Sequence, residues 1–295
     1  MKIVYIGALK FSYHCLSEVL RCNGEVVGIV TLKYSNNVSD KCDLTPISRQ
    51  NNIPVHYCKN VNDKVTIQWI GNKKPDIIFC WGWSQLIKSE LLNLPSKGVI
   101  GVHPTLLPSN RGRHPLIWSL VLGLKESGLT FFFMDEGEDS GPILSQKKFE
   151  ISNEDTAGSL YKKIENLATI QIAEFLPLLI SDNYNVIVQD SEQASYWRKR
   201  SVKDGVIDWR MNEQSILNLI RALTKPYPGA TTKYRDFDIT VWKAHKYNQV
   251  LPSNIEPGRI VLVSDTLTII KCYDGAIAID EYEPNVKLIE GEYII

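Results

Sequence analysis

Net charge is the first thing this 295-residue chain does without: 33 lysines and arginines face 33 aspartates and glutamates. A tight polyanion binder usually carries a basic excess, so the composition argues against a nucleic-acid clamp and leaves room only for a local basic patch. The six cysteines, Cys15, Cys22, Cys42, Cys58, Cys80 and Cys272, form no CxxC pair, and several sit in apolar text such as "IIFCWGW". They read as reduced, mostly core thiols, which fits a cytoplasmic compartment. The opening "MKIVYIGAL" offers no succession of charged, apolar and cleavage regions, and no run reaches membrane-spanning length, so the expected localisation is again cytoplasmic. The first apolar run ends in "IGALKFS", with one glycine where a dinucleotide fingerprint needs three, which disfavours an NAD enzyme. Internal repeats and low-complexity tracts are also missing.

What is present suffices for a proper core. The chain is 44% hydrophobic and 22% charged, so neither disulfides nor metals are required to hold it, and its length suggests two domains or one large domain with an appendage. Strand-like runs at 2–8, 25–31, 76–83 and 98–103 alternate with helix-like segments at 11–22, near 44–52, near 61–71 and over "SQLIKSELLNLP". Short apolar strands separated by helices imply βαβ crossovers and a mostly parallel sheet buried on both faces. Two further strands are expected at 128–136 and 142–151, then a helix over about 156–176 with Asp155 and Thr156 as candidate caps. From "SDNYNVIVQDSEQASYWRKR" the text turns polar and irregular. It is followed by one helix at 215–223 and strand-like runs at 231–245, 259–271 and 276–282. The expected fold class is therefore α/β: a Rossmann-like, mostly parallel sheet with helices on both faces, plus a small, mostly β (OB-like) C-terminal domain. The expected boundaries are a catalytic domain over 1–183, a linker over 184–204 and a small domain over 205–295.

Ligands of such sheets sit at the carboxyl ends of the strands. His103 stands at such an end and leads into "PTLLPSNRGRHP", far more rigid and charged material than a turn requires. A second element, "MDEGEDSGPI" (134–143), places four carboxylates and two glycines after an apolar strand; the glycines permit tight turning that can aim a carboxylate inward. Asp135 and Glu138 also fit a solvated acidic hairpin. A metal site built on His103 and these acids lacks a second histidine at ligand spacing, so no metal is expected. Lys10 and Ser12 begin a helix, where amide groups and the helix dipole favour an anion; a surface lysine and a plain N-cap serine is the alternative.

The stretch "GVHPTLLPSNRGRHPLIWSLVLGLKESGLTFFFMDEGEDSGPIL" resembles the central signature of the folate-dependent formyltransferases. That family includes methionyl-tRNA formyltransferase, glycinamide ribonucleotide formyltransferase and the sugar-nucleotide N-formyltransferases. Its pattern is Asn-x-His-Pro-Ser-Leu-Leu-Pro, then Arg-Gly, then Asp-x-Gly-x-Ile. The likeness extends through "DGVIDWRMNEQSILNLIRALTKPYPGA" (204–230), as in the second domain of the tRNA and sugar enzymes. The resemblance implies 10-formyltetrahydrofolate as cosubstrate, no metal, and His103 and Asp139 as the catalytic pair. An amine attacking the formyl carbon makes a tetrahedral oxyanion and releases a proton, so the site needs a proton acceptor and fixed donors aimed at the oxygen. Either the imidazole or the carboxylate suits the first task.

One departure stands out: Gly101 occupies the family's asparagine position, and losing an oxyanion donor costs on the order of 10²–10³ in rate in comparable sites. The resemblance further places Trp81, Trp83, Gln85, Leu86, Gly137 and Glu138 by the folate. One of the two tryptophans is expected in the core. Lys10, Ser12, Thr105 and Arg111 are candidates for acceptor binding, with a structural arginine bonding loop carbonyls as the alternative for Arg111. Pro104, Leu107 and Pro108 would stiffen the wall of the cleft.

For the acceptor, the resemblance leaves an amino sugar on a nucleotide diphosphate, initiator methionyl-tRNA, or no amine at all (a formyl-folate hydrolase or a non-catalytic binding homologue). The loop that is basic in the tRNA enzyme, here "TLKYSNNVSDKCDLT" (31–45), balances two lysines against two aspartates. With zero net charge this favours the sugar nucleotide and argues against tRNA. A homodimer is compatible with the sequence.

Overall fold

The structure is a computed structural model and describes residues 1–33, 41–264 and 267–295. Its chain divides into two compact units: Met1–Pro115, Ser127–Phe149 and Lys162–Trp197 form the first, and Leu116–Glu126, Glu150–Tyr161 and Arg198–Ile295 the second.

The first unit is organised by a seven-stranded sheet. Its strands are β1 (Lys2–Ile6), β2 (Glu25–Thr31), β3 (Val55–Tyr57), β4 (Ile77–Cys80), β5 (Val99–His103), β7 (Glu126–Phe133) and β8 (Ile143–Glu150), in the order β3-β2-β1-β4-β5-β7-β8. The pairs from β3 through β5 are parallel, and β7 lies antiparallel to β5 with Gly101 opposite Phe132 and His103 opposite Thr130. The order reverses between β1 and β4, the switch point at which doubly wound sheets take their ligands. β4 is buried along its whole length, and only Lys2 of β1 is exposed, as strands covered on both faces must be. The crossovers carry α1 (Lys10–Arg21), α2 (Thr45–Gln50), α3 (Lys64–Asn72) and α4 (Ser89–Leu92). Helix α3 is started by Asp63, whose carboxylate accepts from the Thr66 amide at 2.6 Å. β6 (Arg111–Gly112) pairs in parallel with β9 (Tyr196–Trp197), and the 24-residue α6 (Ala157–Ile180) belongs to this unit from Lys162 onward; α5 (Pro115–Val121) falls, from Leu116, in the second unit.

The core of this unit centres on Trp81. Its indole stacks on Phe79 at 4.4 Å and meets Tyr5, Phe131 and Phe175 edge-on at 5.7, 5.0 and 6.3 Å. A buried aromatic of this kind removes about 150–250 Å² from water, on the order of 4–6 kcal/mol by area.

The helix expected over "SQLIKSELLNLP" shrinks to the four residues of α4. Residues 84–88 are instead tied to the 59–62 loop: Gln85 spends its own side chain on the Val61 amide and the Lys59 carbonyl, and the Asn62 side chain bonds the Leu86 carbonyl and the Lys88 amide. Those bonds satisfy backbone that would otherwise seek a helical partner. Helix α5 is an addition that the apolar spacing did not announce.

In the second unit α7 (Glu213–Leu223) carries buried Ile216, Leu219, Ile220 and Leu223, and Asn212 caps it by accepting from the Ser215 amide at 2.8 Å. Strands β10 (Ala230–Tyr234), β11 (Phe237–Lys246), β12 (Ile260–Val263), β13 (Thr268–Lys271) and β14 (Ala276–Glu283) form an antiparallel sheet in the order β10-β11-β14-β13-β12. The run 231–245 is thus a hairpin turning after Tyr234, with Arg235 at φ +53°. Trp209 is buried beside this sheet and donates to Thr232 Oγ1 at 3.0 Å. Among the described residues no helix is long and apolar enough to cross a membrane, and no three metal-ligating side chains converge.

Candidate active site

Strand β5 ends at His103 in a parallel sheet, so its ring emerges at the carboxyl end, where the next loop closes over it. The imidazole is almost fully buried and both nitrogens are engaged. Nε2 donates to the Asn110 carbonyl at 2.8 Å, and Nδ1 faces Asp139 Oδ2 at 3.4 Å. A carbonyl can only accept, so the proton on Nε2 is fixed and Nδ1 is the nitrogen left to exchange one. Asp139 Oδ2 also accepts from the Gly112 amide at 3.0 Å. The carboxyl group is the more open member of the pair, 21% exposed against 6% for the imidazole side chain.

Three residues around this pair hold left-handed backbone without being glycine: Asn110 at φ +65°, His114 at +56° and Asp139 at +52°. Such conformations cost of order 1–3 kcal/mol each and collect at functional sites. Gly112, at φ +106°, has no room for a side chain, because a Cβ would stand 2.4 Å from the Trp197 carbonyl oxygen. The chain passes there closely enough for its amide to reach Asp139.

The segments expected at the folate are joined to this pair. Arg113 donates to the Ser84 carbonyl at 3.2 Å, and Ser89 donates to Glu136, so the loop after β4 and the acidic turn border one region. Leu86 keeps its side chain 67% exposed there, and Trp83 is partly buried with its indole N–H lacking a hydrogen-bond partner. An apolar surface with an unused buried donor fits a flat heteroaromatic such as a pterin. Gly137 and Glu138 are exposed in a turn folded on Asp135, which accepts from the Gly137 amide and Ser140 Oγ. Burial pushes the thiol of Cys80, at the end of β4, up to about 12, away from the thiolate form.

Several expected binding residues have other work. Trp81 is the core aromatic described above, with no exposed surface for a ligand. Ser12 is fully buried, accepting from the Ala8 and Leu9 amides and donating to the Trp81 carbonyl, so it is a structural latch and not an acceptor ligand. Thr105 is buried and donates to the Ser109 carbonyl at 3.0 Å. Gln85 spends both ends of its amide on the 59–61 backbone. Arg111 is buried and bonded to Gln189 and Tyr196, which is the structural alternative, with side-chain partners in place of carbonyls. Lys10 remains exposed as the first residue of α1. At Gly101 a Cβ would meet Met134 Cγ at 2.9 Å and Phe132 Cζ at 3.1 Å, so the space an asparagine would need is filled. The 31–45 loop lies partly outside the described residues. Sequence reasoning missed Gln189, the Asn110 carbonyl and the Gly112 amide; a buried arginine in "NRGR" that demands partners was the one signal for the first.

Fold and site together define a doubly wound α/β protein with an imidazole–carboxylate pair at the carboxyl edge of its sheet. The chain belongs to the formyl transferase family. The family model described as formyl transferase matches residues 1–176, and the model for the formyl transferase C-terminal domain matches 199–292. It is similar to methionyl-tRNA formyltransferase of Clostridioides difficile (strain 630), at 32% identity over 100% of this chain and 96% of the relative. It is also 35% identical to the bifunctional polymyxin resistance protein ArnA of Wigglesworthia glossinidia brevipalpis, matching 83% of this chain but spanning only 38% of that longer protein. Among solved structures, WlaRD, a sugar 3N-formyltransferase crystallised with dTDP and 5-N-formyl-THF, shares the fold with a TM-score of 0.72 at 19% identity, covering 97% and 99% of the two chains. The protein is a folate-dependent formyltransferase that takes its one-carbon group from 10-formyltetrahydrofolate.

Proposed function

We propose that the formyl group goes to the amine of a nucleotide-linked amino sugar, and that His103 and Asp139 carry the reaction. The observation that carries the acceptor reading is the charge balance, 33 against 33 over the whole chain. Gripping a tRNA means neutralising several phosphates at once, and a protein that does so ordinarily carries surplus lysine and arginine. A sugar nucleotide presents only a diphosphate, which one or two cations such as exposed Lys10 can meet. The fold shared with WlaRD, itself a sugar 3N-formyltransferase, agrees with this reading.

10-Formyltetrahydrofolate supplies the formyl carbon and the oxygen on which negative charge grows. The attacking amine must lose a proton, and Asp139, the open member of the pair, is the group it meets first. His103 Nδ1 stands behind that carboxylate and shares the proton, while the Asn110 carbonyl prevents the ring from flipping. The tetrahedral adduct then collapses with cleavage of the bond between the formyl carbon and N10, and the proton taken from the amine is returned to N10 of the departing tetrahydrofolate. The contact of 3.4 Å is loose for a hydrogen bond, as apo sites often are, and tightens when substrate excludes water. Gly101 leaves no side-chain amide on β5 for the oxyanion, and both nitrogens of His103 are already engaged, so the oxyanion's donors must come from another group of the site.

A second reading has one specific observation behind it: full-length likeness to a methionyl-tRNA formyltransferase at 32% identity. The test incubates the protein and 10-formyltetrahydrofolate with a dTDP-linked 3-amino sugar or with methionyl-tRNA, and reads formylated product by mass spectrometry. Formylated sugar is expected. Formylated methionyl-tRNA with unreacted sugar would overturn the proposal, and amine-independent release of tetrahydrofolate would make the protein a hydrolase. His103→Ala and Asp139→Ala should each abolish transfer while the fold and folinic acid binding persist; full activity in either removes that residue from the mechanism.

A further inference from the structure

We propose that Gln189 is the positioning residue that holds Asp139 in its working conformation, an inference that rests on the reading of Asp139 above. Gln189 lies in the polar stretch that the sequence presents as a connector, yet it belongs to the first unit and reaches the candidate site. Its amide is saturated. Oε1 accepts from Arg111 Nη2 at 2.7 Å and from Arg111 Nε at 3.2 Å, and Nε2 donates to the Asp139 carbonyl at 2.9 Å and to the Gly141 carbonyl at 2.7 Å. A guanidinium only donates and a carbonyl only accepts, so this orientation of the amide is the one that works.

The geometry matters because Asp139 is in the left-handed region at φ +52°. An aspartate enters that region more readily than most residues but at a cost, and the direction of its carbonyl is set by the backbone angle that follows φ. Gln189 grips that carbonyl, while the Gly112 amide grips the carboxylate, so the two ends of the residue are fixed independently. Gly141 adds a second anchor: its backbone lies so close to Phe133 that a Cβ would stand 1.8 Å from the Phe133 carbonyl oxygen. The clamp itself is well founded. Arg111 is buried, its amide donates to the Ser195 carbonyl at 2.8 Å and its guanidinium to Tyr196 at 2.9 Å. Residues 187 and 143 exchange both backbone hydrogen bonds at 2.8 Å, which fixes the start of the Gln189 segment on β8.

The plainest competing role is to give buried Arg111 a partner. Two variants separate the roles. Gln189→Met keeps length but removes every hydrogen bond, and leaves Arg111 short of a partner, so it can fail to fold. Gln189→Glu keeps and strengthens the Arg111 contact while turning oxygens toward the two carbonyls, so it preserves the structural role and destroys the positioning one. The measurement is kcat and KM with 10-formyltetrahydrofolate and the dTDP-linked 3-amino sugar, together with a crystal structure of Gln189→Glu, which reads the position of Asp139 whatever the acceptor. A misplacement of about 1 Å in a reacting group costs up to about 10²-fold, so kcat in Gln189→Glu should fall roughly 10–100-fold with KM for the folate changed less than about 3-fold. The crystal structure should show Asp139 leaving positive φ and losing contact with His103. A wild-type kcat in Gln189→Glu, or an unmoved Asp139, overturns the proposal. If His103→Ala and Asp139→Ala also keep activity, the catalytic reading has failed; if they are dead while Gln189→Glu is normal, the clamp alone has failed.

Discussion

Restoring an asparagine at Gly101 puts the packing around the pair to a quantitative test. The backbone at this position does not require glycine, because Gly101 is an interior residue of β5 paired to Cys80 on one side and Phe132 on the other. What opposes a side chain is space: the new Cβ would meet Met134 Cγ at 2.9 Å, Phe132 Cζ at 3.1 Å and Met134 Sδ at 3.2 Å. Contacts below 3.0 Å must be relieved, and Cγ is too near the Met134 backbone to swing away freely. Overpacking of this kind costs about 1–3 kcal/mol, and about 2–4 °C of melting temperature per kcal/mol is ordinary for a unit of 150–250 residues, so Gly101→Asn should melt roughly 2–12 °C lower. The Met134 share of the crowding is removed when Met134 is also truncated, leaving only the Phe132 contact. A thermal and urea double-mutant cycle over Gly101→Asn and Met134→Ala should therefore show about 1 kcal/mol or more of favourable coupling. The double variant also gains room for an amide by the pair, and should transfer formyl groups faster than Met134→Ala alone. Gly101→Asn melting within about 1 °C of the parent, with the cycle additive to about 0.5 kcal/mol, would refute the claim that Met134 fills this space.

Three further outcomes are expected. Trp81→Ala should cost about 3–5 kcal/mol in urea unfolding, since the indole is the hub of four aromatic contacts; a loss under about 1 kcal/mol would contradict its place in the core. Burial pushes the Cys80 thiol up to about 12, whereas an unfolded thiol ionises near 8.5, so between about pH 9 and 12 the folded state binds the extra proton. Its stabilisation is whole below about pH 8.5 and lost as pH rises, by about 1.4 kcal/mol per pH unit, so Cys80→Ala should show a shallower alkaline decline in urea unfolding than the parent. Equal slopes would deny that this thiol is desolvated. Asn212→Ala should remove the N-cap of α7 and about 1 kcal/mol, seen as faster amide exchange in its first turn.

The parts of the fold that rest on hydrophobic spacing were legible in the sequence. Strands β1, β2, β4 and β5 are apolar runs because both faces of the sheet are covered, and α6 carries its Leu160, Ile164, Ala168, Ile172 and Phe175 face into the interior. Elements whose backbone is satisfied by side chains were not. The segment 84–88 has helical spacing but is claimed by Gln85 and Asn62, and nothing periodic records such a bond. The candidate site divides in the same way. His103 stood out in the local text as a strand-end histidine, whereas Asp139 was singled out from four neighbouring carboxylates only by the resemblance to the family signature. Their supports could not be picked out, since Gln189 lies 50 residues beyond Asp139 and 78 beyond Arg111.

The two tryptophans of "WGW" show why position along a strand is a poor guide at its end. Residues two apart on a strand share a face, so Trp81 and Trp83 would be expected to point the same way. The regular strand stops at Cys80, however, and Gly82 takes φ +68°, turning the chain between them. A residue with a Cβ there would stand 2.3 Å from Ser12 Oγ, so the turn needs both the left-handed backbone and the missing side chain. Trp81 is therefore fully buried among Tyr5, Phe79, Phe131 and Phe175, while Trp83 is only partly buried and packs against the cluster that holds Val4, Ile6, Ile78 and Cys80; among the described residues neither indole N–H has a hydrogen-bond partner. One glycine decides which of two identical side chains is fully buried and which keeps part of its surface open. The same glycine fixes the place of Ser12, whose hydroxyl bonds the Trp81 carbonyl from the other side of the turn and is thereby lost to the acceptor.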